Sequence, residues 1–304
     1  MLKEKQRNRL CDLCQKTGSS IVFGETLAEH STISIGGEAV AWLIPSDLEA
    51  LKEVRRFLED SGILSVVTGN ASNVLFPDKG LEAVVINLSS AFFSKKEFKE
   101  RKVTAGAGLD LRSLLSDCCR RGLSGLEGLA GIPATVGGAV FMNASYLTAI
   151  SDRLEKVLVL DENNGIRWVE KKDLRFAYRS SSLGRKNIVV EAVFSLDEMP
   201  PDDLKKKLRM NFLEKMERQP LDERTLGCIF KNPPGGRHKS GELIDIAGMK
   251  GVQRGGARVS DKHANFIVNT GKATSEDVVS LIGEIREKVR EKFKIELETE
   301  IEIL

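Results

Sequence analysis

Between Arg121 and Ala144 the chain reads RGLSGLEGLAGIPATVGGAVFMNA, with glycines at 122, 125, 128, 131, 137 and 138. Their spacing is too irregular for a repeat, and the aliphatic residues between them are too many for a disordered linker. Such a stretch folds as a buried, sharply turning segment. Glycine reaches positive φ and lets bare N–H groups come within hydrogen-bonding distance of a ligand, which is how diphosphates are held. A set of tight turns in a core has the same composition, so both readings stand on glycine count alone. No G-x-x-x-x-G-K-[ST] loop occurs, and the G-x-G at Gly106 to Gly108 lacks the third glycine of a dinucleotide fingerprint.

With 304 residues, 41% of them hydrophobic, the chain is long enough for two or three domains with real cores. Its 46 basic and 44 acidic residues are interspersed, giving a net charge of +2, which argues against nucleic acid or a membrane surface as the main partner. The opening MLKEKQRNRLCDLCQKTG is charged and has no apolar h-region, and no run reaches the length of a membrane span. A cytoplasmic protein without signal peptide or membrane insertion is expected. Five cysteines, an odd number, point to reduced thiols. Cys11 and Cys14 form a C-x-x-C, but a zinc site needs a second such pair, which adjacent Cys118 and Cys119 cannot supply, so no metal is expected.

TISIGG, Thr32 to Gly37, precedes an apolar strand, Ala39 to Ile44. Ser46 with Glu49 three residues on reads as a capping box, and Leu48, Leu51, Val54 and Phe57 follow at helical spacing up to Gly62. The strand Ile63 to Val67 then enters the turn TGNASNVL, where Gly69, Asn70, Ser72 and Asn73 are turn formers. A polar turn at the end of a buried strand is where open α/β sheets bind ligands, although Ser and Asn also close turns through their own side chains. Strands follow at Ala83 to Leu88 and Val103 to Ala105. A helix striped by Leu111, Leu114, Leu115 and Cys118 ends at Gly122.

After the glycine-rich stretch, Leu154 to Leu160 and Ile166 to Val169 flank ENNG, a hairpin signal, and Ile188 to Phe194 reads as another strand. The segment FAYRSSSLGRKN between them has no evident packing role, and its Arg179 alone reads as a surface charge. Pro200 and Pro201 open a helix striped by Leu204, Leu208, Phe212 and Met216. GCIFKNPPGG, Gly227 to Gly236, is a loop carrying Cys228, Lys231 and Asn232. Thr274 with Asp277 caps a long helix. The terminal residues alternate, with Ile295, Leu297, Ile301 and Ile303 on one face and Glu296, Glu298, Glu300 and Glu302 on the other, a pattern usual for a half-solvated strand.

Taken in order, TISIGG, GNASN, GLSGLEGLAGIPATVGGAVFMNA, FAYRSS, GCIFKNP, GELIDIAGMKGVQRGGARVSDKHANFIVN and ELETE resemble the UDP-N-acetylenolpyruvoylglucosamine reductase family, from about Ser31 to the C-terminus. The absence of a long insertion after FAYRSS resembles its type II subclass. The resemblance implies an α+β fold, with an FAD-binding domain of the vanillyl-alcohol-oxidase type made of two α+β subdomains and a C-terminal α+β substrate-binding domain. The division it implies is 1–19 as an N-terminal helical segment, 20–198 as the FAD-binding domain (subdomains of about 20–90 and 91–198), and 199–304 as the substrate domain.

It also implies a reaction, in which NADPH reduces FAD and the enolpyruvyl sugar nucleotide then receives hydride on its alkene, in a protein expected to be monomeric. By the same resemblance, Gly69, Asn70, Ala71, Ser72, Asn73, Gly131, Ile132, Pro133, Thr135, Gly137 and Gly138 are FAD-binding, the glycines offering N–H groups to the diphosphate. Tyr178, Lys231, Asn232, Lys250 and His263 are substrate-binding. Arg179 and Glu300 are matched to the family's catalytic arginine and glutamate. Cys228 stands where most members have a serine that protonates the enolate, and a thiol, ionising near about 8.5, is a far stronger acid than an alcohol. Further departures are Ala71 and Ala134, where glycine is commoner, and Ser145-Tyr146, where A-G-A-Y is commoner. A covalent flavin oxidase of the same fold, for which His30 is the sole histidine of the flavin region, and a flavin- or nucleotide-binding protein with a decayed site are the competing readings.

Overall fold

The computed structural model describes residues 2–304, which fall into two units, each discontinuous in sequence. The first comprises residues up to Glu25, Ala39–Asn70 and Glu82–Leu213; the second comprises Thr26–Glu38, Ala71–Leu81 and Glu214–Leu304. The division expected from sequence was continuous. Two short excursions, 26–38 and 71–81, break that continuity, because their apolar residues Ile33, Ile35 and Leu75 belong to the core of the second unit.

The first unit is built on two larger sheets, of four and five strands. One runs in the order Ser20–Phe23, Ala39–Ile44, Leu81–Asn87, Ser65–Thr68, its outer pairs antiparallel and parallel respectively. It carries helices α1 (Glu4–Thr17) and α2 (Leu48–Asp60). The cap of α2 is Asp47, whose carboxylate accepts the Ala50 N–H at 2.9 Å, and not Ser46. Ser46 is diverted because its hydroxyl donates to the Thr17 carbonyl at 2.6 Å, and a side chain committed elsewhere cannot cap. The other sheet runs Ile166–Glu170, Leu154–Leu160, Ile188–Ser195, Lys102–Gly106, Lys96–Lys99, all antiparallel. Helices α3 (Leu111–Arg120) and α4 (Val136–Phe141) accompany it.

One apolar core runs through both sheets, and buried Arg55 of α2 ties them together. Its guanidinium donates to the Asp161 carbonyl at 2.6 Å and the Lys186 carbonyl at 2.8 Å, while Glu59 takes Nε at 2.8 Å. The C-x-x-C residues part company: Cys14 packs in this core, where burial pushes its thiol up to about 11, and Cys11 is exposed.

Helix α5 (Pro201–Arg218) leaves the first unit after Leu213. Its expected stripe is buried only at the start: Leu204 is 2% exposed, but Phe212 and Met216 are 39% and 38% exposed. Periodicity selects a face of a helix but not the length over which something covers it. The second unit has the antiparallel sheet Thr225–Cys228, Phe266–Asn269, Ala257–Val259, Gln253–Arg254, with α6 (Ser240–Ile246) and α7 (Ser275–Phe293). Thr274 and Asp277 cap α7 reciprocally, and hydrogen bonds from the N–H groups of Thr274 and Gly256 hold the Asp277 carboxyl below its usual range. The C-terminal alternation survives only in part. Glu302–Ile303 pairs in parallel with Val74–Leu75; Leu297 and Ile301 are buried, but Ile303 is 45% exposed.

Candidate active site

The strand Ser65–Thr68 delivers the polar turn. Asn87 on the adjacent strand donates Nδ2 to the carbonyls of Thr68 and Gly69 at 3.2 and 3.0 Å, fixing where the turn begins. Gly69 is required for close approach, since a Cβ there would lie 2.3 Å from Oγ1 of Thr135. Ala71, 4% exposed, sits at φ 44, a left-handed conformation that an L-residue adopts at a cost. Among the described residues, none of the N–H groups of Asn70, Ala71, Ser72 and Asn73 donates to a protein acceptor. Consecutive N–H groups around a left-handed residue form an anion-binding nest, so this turn fits a diphosphate.

The Gly137 N–H donates to the Ala107 carbonyl at 2.8 Å, and the Gly138 N–H to Oγ1 of Thr135, the N-cap of α4, at 3.3 Å. Both donors are engaged within the protein in this structure. Gly137 is a packing glycine, because a Cβ would come within 2.7 Å of that of Ala107. Gly131, at φ 75, makes the turn before Ile132, whose N–H caps back to Leu129, and exposed Pro133. Ala134 has no positive φ and incurs no such strain.

Tyr178 and Arg179 form the two-residue tip between the paired strands Phe176–Ala177 and Ser180–Ser181. Arg179 takes φ 56, and its guanidinium carbon lies 5.4 Å from the centre of the Tyr178 ring. Nη1 donates to the carbonyl and hydroxyl oxygens of Ser145 at 3.0 and 3.2 Å. A non-glycine residue in this region is strained, and such strain concentrates where a side chain is aimed at chemistry.

In the second unit, Cys228 ends the strand Thr225–Cys228, where a bulge with Gly227 at φ 79 re-aims it. Nothing lies within 4 Å of where a Gly227 Cβ would be, so glycine is needed there for conformation and not for space. The next residues are clasped from two sides. Asn265, 3% exposed, accepts the Phe230 N–H through Oδ1 at 2.9 Å and donates Nδ2 to the Phe230 carbonyl at 2.8 Å. On the other side the Glu300 N–H donates to the Ile229 carbonyl at 2.8 Å, and the Lys231 N–H to the Glu298 carbonyl at 2.8 Å. Glu300 thus runs beside the cysteine loop. It is half-buried, whereas Glu296 and Glu298 are exposed, which sets it apart from the solvated carboxylates. Asn73 closes the web, donating Nδ2 to the Glu300 carbonyl at 3.1 Å and accepting the Glu302 N–H at 2.9 Å.

The remaining polar residues of this unit are engaged as well. Lys231 pairs with Glu298, and Asn232 accepts the Ser240 N–H at 3.0 Å, serving the start of α6. Lys250 pairs with Asp245 at 2.7 Å. His263 accepts the Asn265 N–H through Nδ1 at 3.2 Å, stacks edge-on against Phe266, and abuts Gly241. Burial, with the nearby Lys250 charge adding to it, lowers its pKa.

A family pattern described as the C-terminal domain of UDP-N-acetylenolpyruvoylglucosamine reductase matches residues 219–304, and one described as an FAD-binding domain matches 39–170. The UDP-N-acetylenolpyruvoylglucosamine reductase of Halalkalibacterium halodurans is 41% identical over 92% of this chain and 93% of its own, and that of Bacillus subtilis 36% identical over 96% and 97%. The chain belongs to this reductase family. A crystal structure of the Thermus caldophilus member superposes with a TM-score of 0.79 at 35% identity, covering 94% of this chain and 98% of that one.

As a UDP-N-acetylenolpyruvoylglucosamine reductase family member, the chain is a flavin-dependent oxidoreductase with the α+β fold expected of it, FAD as cofactor and NADPH as reductant. No helix among the described residues is long and apolar enough to cross a membrane. Two residues that brace this region, Asn265 and Glu127, do not stand out in the sequence pattern. Asn265 was hidden inside SDKHANF because a buried asparagine and a surface one look alike in sequence. Glu127 lies in a stretch dominated by glycine, where an acidic residue amid GLEGLAG, an unlikely core residue unless paired, signals a partner.

Proposed function

We propose that this protein reduces UDP-N-acetylglucosamine enolpyruvate to UDP-N-acetylmuramate for peptidoglycan precursor synthesis, as a cytoplasmic monomer with Cys228 as proton donor. The observation that carries this reading is the web around Asn73: the nest-forming turn, the Glu300 segment and the Cys228 loop are joined by hydrogen bonds through Asn73 and Ile229. A diphosphate-binding turn and two candidate catalytic residues are thereby fixed to one another.

Asn70, Ala71, Ser72 and Asn73 would hold the diphosphate of FAD, with Gly69, Thr135 and Gly131 shaping the turns around it. When bound, FAD supplies the means to take hydride from NADPH and pass it to the alkene. Hydride arriving at the terminal alkene carbon leaves negative charge on the neighbouring carbon and its carboxylate. Arg179, a fixed cation on a strained tip, stabilises that charge as it develops. Cys228 delivers a proton from Sγ to the carbon bearing the carboxylate, and the thiolate is reprotonated from solvent. Glu300, held beside the Cys228 loop, orients the reacting end of the substrate. Tyr178, Lys231, Asn232, Lys250 and His263 bind the sugar nucleotide.

The test is spectroscopic. The purified protein is expected to be yellow, to release FAD on acid precipitation, and to oxidise NADPH in proportion to enolpyruvyl sugar nucleotide consumed. Colour retained in the pellet would instead indicate covalent flavin and an oxidase. In stopped flow, Arg179→Ala and Glu300→Gln leave flavin reduction by NADPH intact and slow reoxidation by substrate by about 10²–10³. Equal slowing of both halves, or of neither, would remove those two residues from these roles.

A further inference from the structure

We propose that Ser145 is a positioning residue for Arg179, its hydroxyl setting the plane of the guanidinium; the inference rests on the catalytic role proposed for Arg179. The hairpin that carries Arg179 is fastened to the chain leaving α4 at three alternate residues. Ser181 Oγ donates to the Phe141 carbonyl at 2.7 Å. Asn143 Nδ2 donates to the Ala177 carbonyl at 2.9 Å, with Asn143 itself 7% exposed and at φ 46. The third fastening is Arg179 Nη1 on the Ser145 carbonyl and hydroxyl.

These fastenings divide the work. The first two hold the hairpin's own strands, one through Ser181 and one through the Ala177 carbonyl. The Ser145 contact alone reaches a side chain beyond them. A guanidinium is planar, with its donors in a rigid fork, so two acceptors on one nitrogen define the direction in which the rest of the fork points. The carbonyl gives that nitrogen one direction, and the hydroxyl, 3.2 Å from it, adds a second. Removing the hydroxyl leaves the hairpin anchored at 141 and 143 and takes one of the two Ser145 acceptors from Arg179.

Loss of aim at a catalytic group slows the step that group serves, and a displacement of about 1 Å costs up to 10²-fold. In Ser145→Ala, reoxidation of reduced flavin by the enolpyruvyl sugar nucleotide is expected to slow about 10-fold, a fraction of that limit. Reduction by NADPH, the affinity of apoprotein for FAD and the thermal midpoint remain those of wild type. Ser145→Thr, which keeps the hydroxyl, restores the rate. In an Arg179→Lys background, which has no fork to orient, adding Ser145→Ala costs nothing further. Wild-type reoxidation in Ser145→Ala alongside slow Arg179→Ala overturns the proposal and leaves the role of Arg179 standing. Wild-type rates in both overturn the catalytic reading of Arg179. Equal slowing of both half-reactions, or a lowered thermal midpoint, assigns Ser145 to holding the hairpin and also overturns the proposal.

Discussion

Lys207 of α5 and Glu127 of the glycine-rich stretch form an ion pair, Nζ to Oε1 2.5 Å, with the glutamate side chain only 8% exposed. Its other oxygen accepts the Gly125 N–H at 2.6 Å, and Asn211 donates Nδ2 to the Glu127 carbonyl at 3.0 Å. Burial by itself would raise the Glu127 pKa. Lys207 and the Gly125 N–H outweigh it and hold the carboxyl below its ordinary value of 4.5.

A carboxyl whose pKa is lower in the folded than in the unfolded protein stabilises the fold above the unfolded value, and that stabilisation is lost as pH falls through the folded one. Glu127→Gln is therefore expected to lose about 1–3 kcal/mol at pH 7, the range for hydrogen bonds to a charged group and their buried partners. The difference from wild type shrinks as pH is lowered below 4.5. Urea unfolding of both proteins at pH 7 and in acid measures this. A deficit independent of pH would mean that the Glu127 charge is not what holds the stretch to α5.

Ala71→Gly should stabilise the protein. Relief of the left-handed strain at φ 44 gains about 1–2 kcal/mol, partly offset by about 0.4–1 kcal/mol of added freedom in the unfolded chain. Thermal melting of apoprotein reads the sum, and titration with FAD reads whether the relaxed turn binds the cofactor at least as tightly. A lower midpoint in the glycine variant would show that Ala71 adopts another conformation.

Asn265→Ala should be among the most damaging single substitutions in the second unit. It strips partners from both the N–H and the carbonyl of buried Phe230, each costing about 1–3 kcal/mol. The neighbouring Cys228 loop loses one of its two supports, so the thiol, which bound substrate should shield from alkylation in the wild type, should no longer be shielded. Wild-type stability together with wild-type protection would contradict the clasp described for Phe230.

Much of the fold is legible in the sequence alone. The strands Ala39–Ile44, Leu154–Leu160 and Ile188–Ser195 and the caps of α3 and α7 follow from apolar runs and capping residues, which are local properties. Tertiary competition was not legible. Ser46 had the right chemistry to cap α2, but the Thr17 carbonyl takes its hydroxyl, and Asp47 caps instead. At Gly137 the sequence marks that glycine is needed without saying what stands opposite; in the structure the Ala107 side chain does. Alternation alone does not separate Glu300 from Glu296 and Glu298; the ELETE match does. The half-burial of Glu300 depends on Ile229 and Asn73, remote in sequence.

Cys228 as proton donor is the central claim, and the pH dependence of the oxidative half-reaction tests it most directly. A thiol donates only while protonated, so in wild type the rate of flavin reoxidation by the enolpyruvyl sugar nucleotide should fall as pH rises through the thiol's ionisation, ordinarily near about 8.5. Cys228→Ser should keep substantial activity without that fall, and Cys228→Ala should accept hydride from NADPH yet stall before product. Stopped-flow traces from about pH 6 to 10 on the three proteins give the answer. A Cys228→Ala protein that reoxidises at the wild-type rate with the wild-type profile would contradict the assignment and pass the proton to another group.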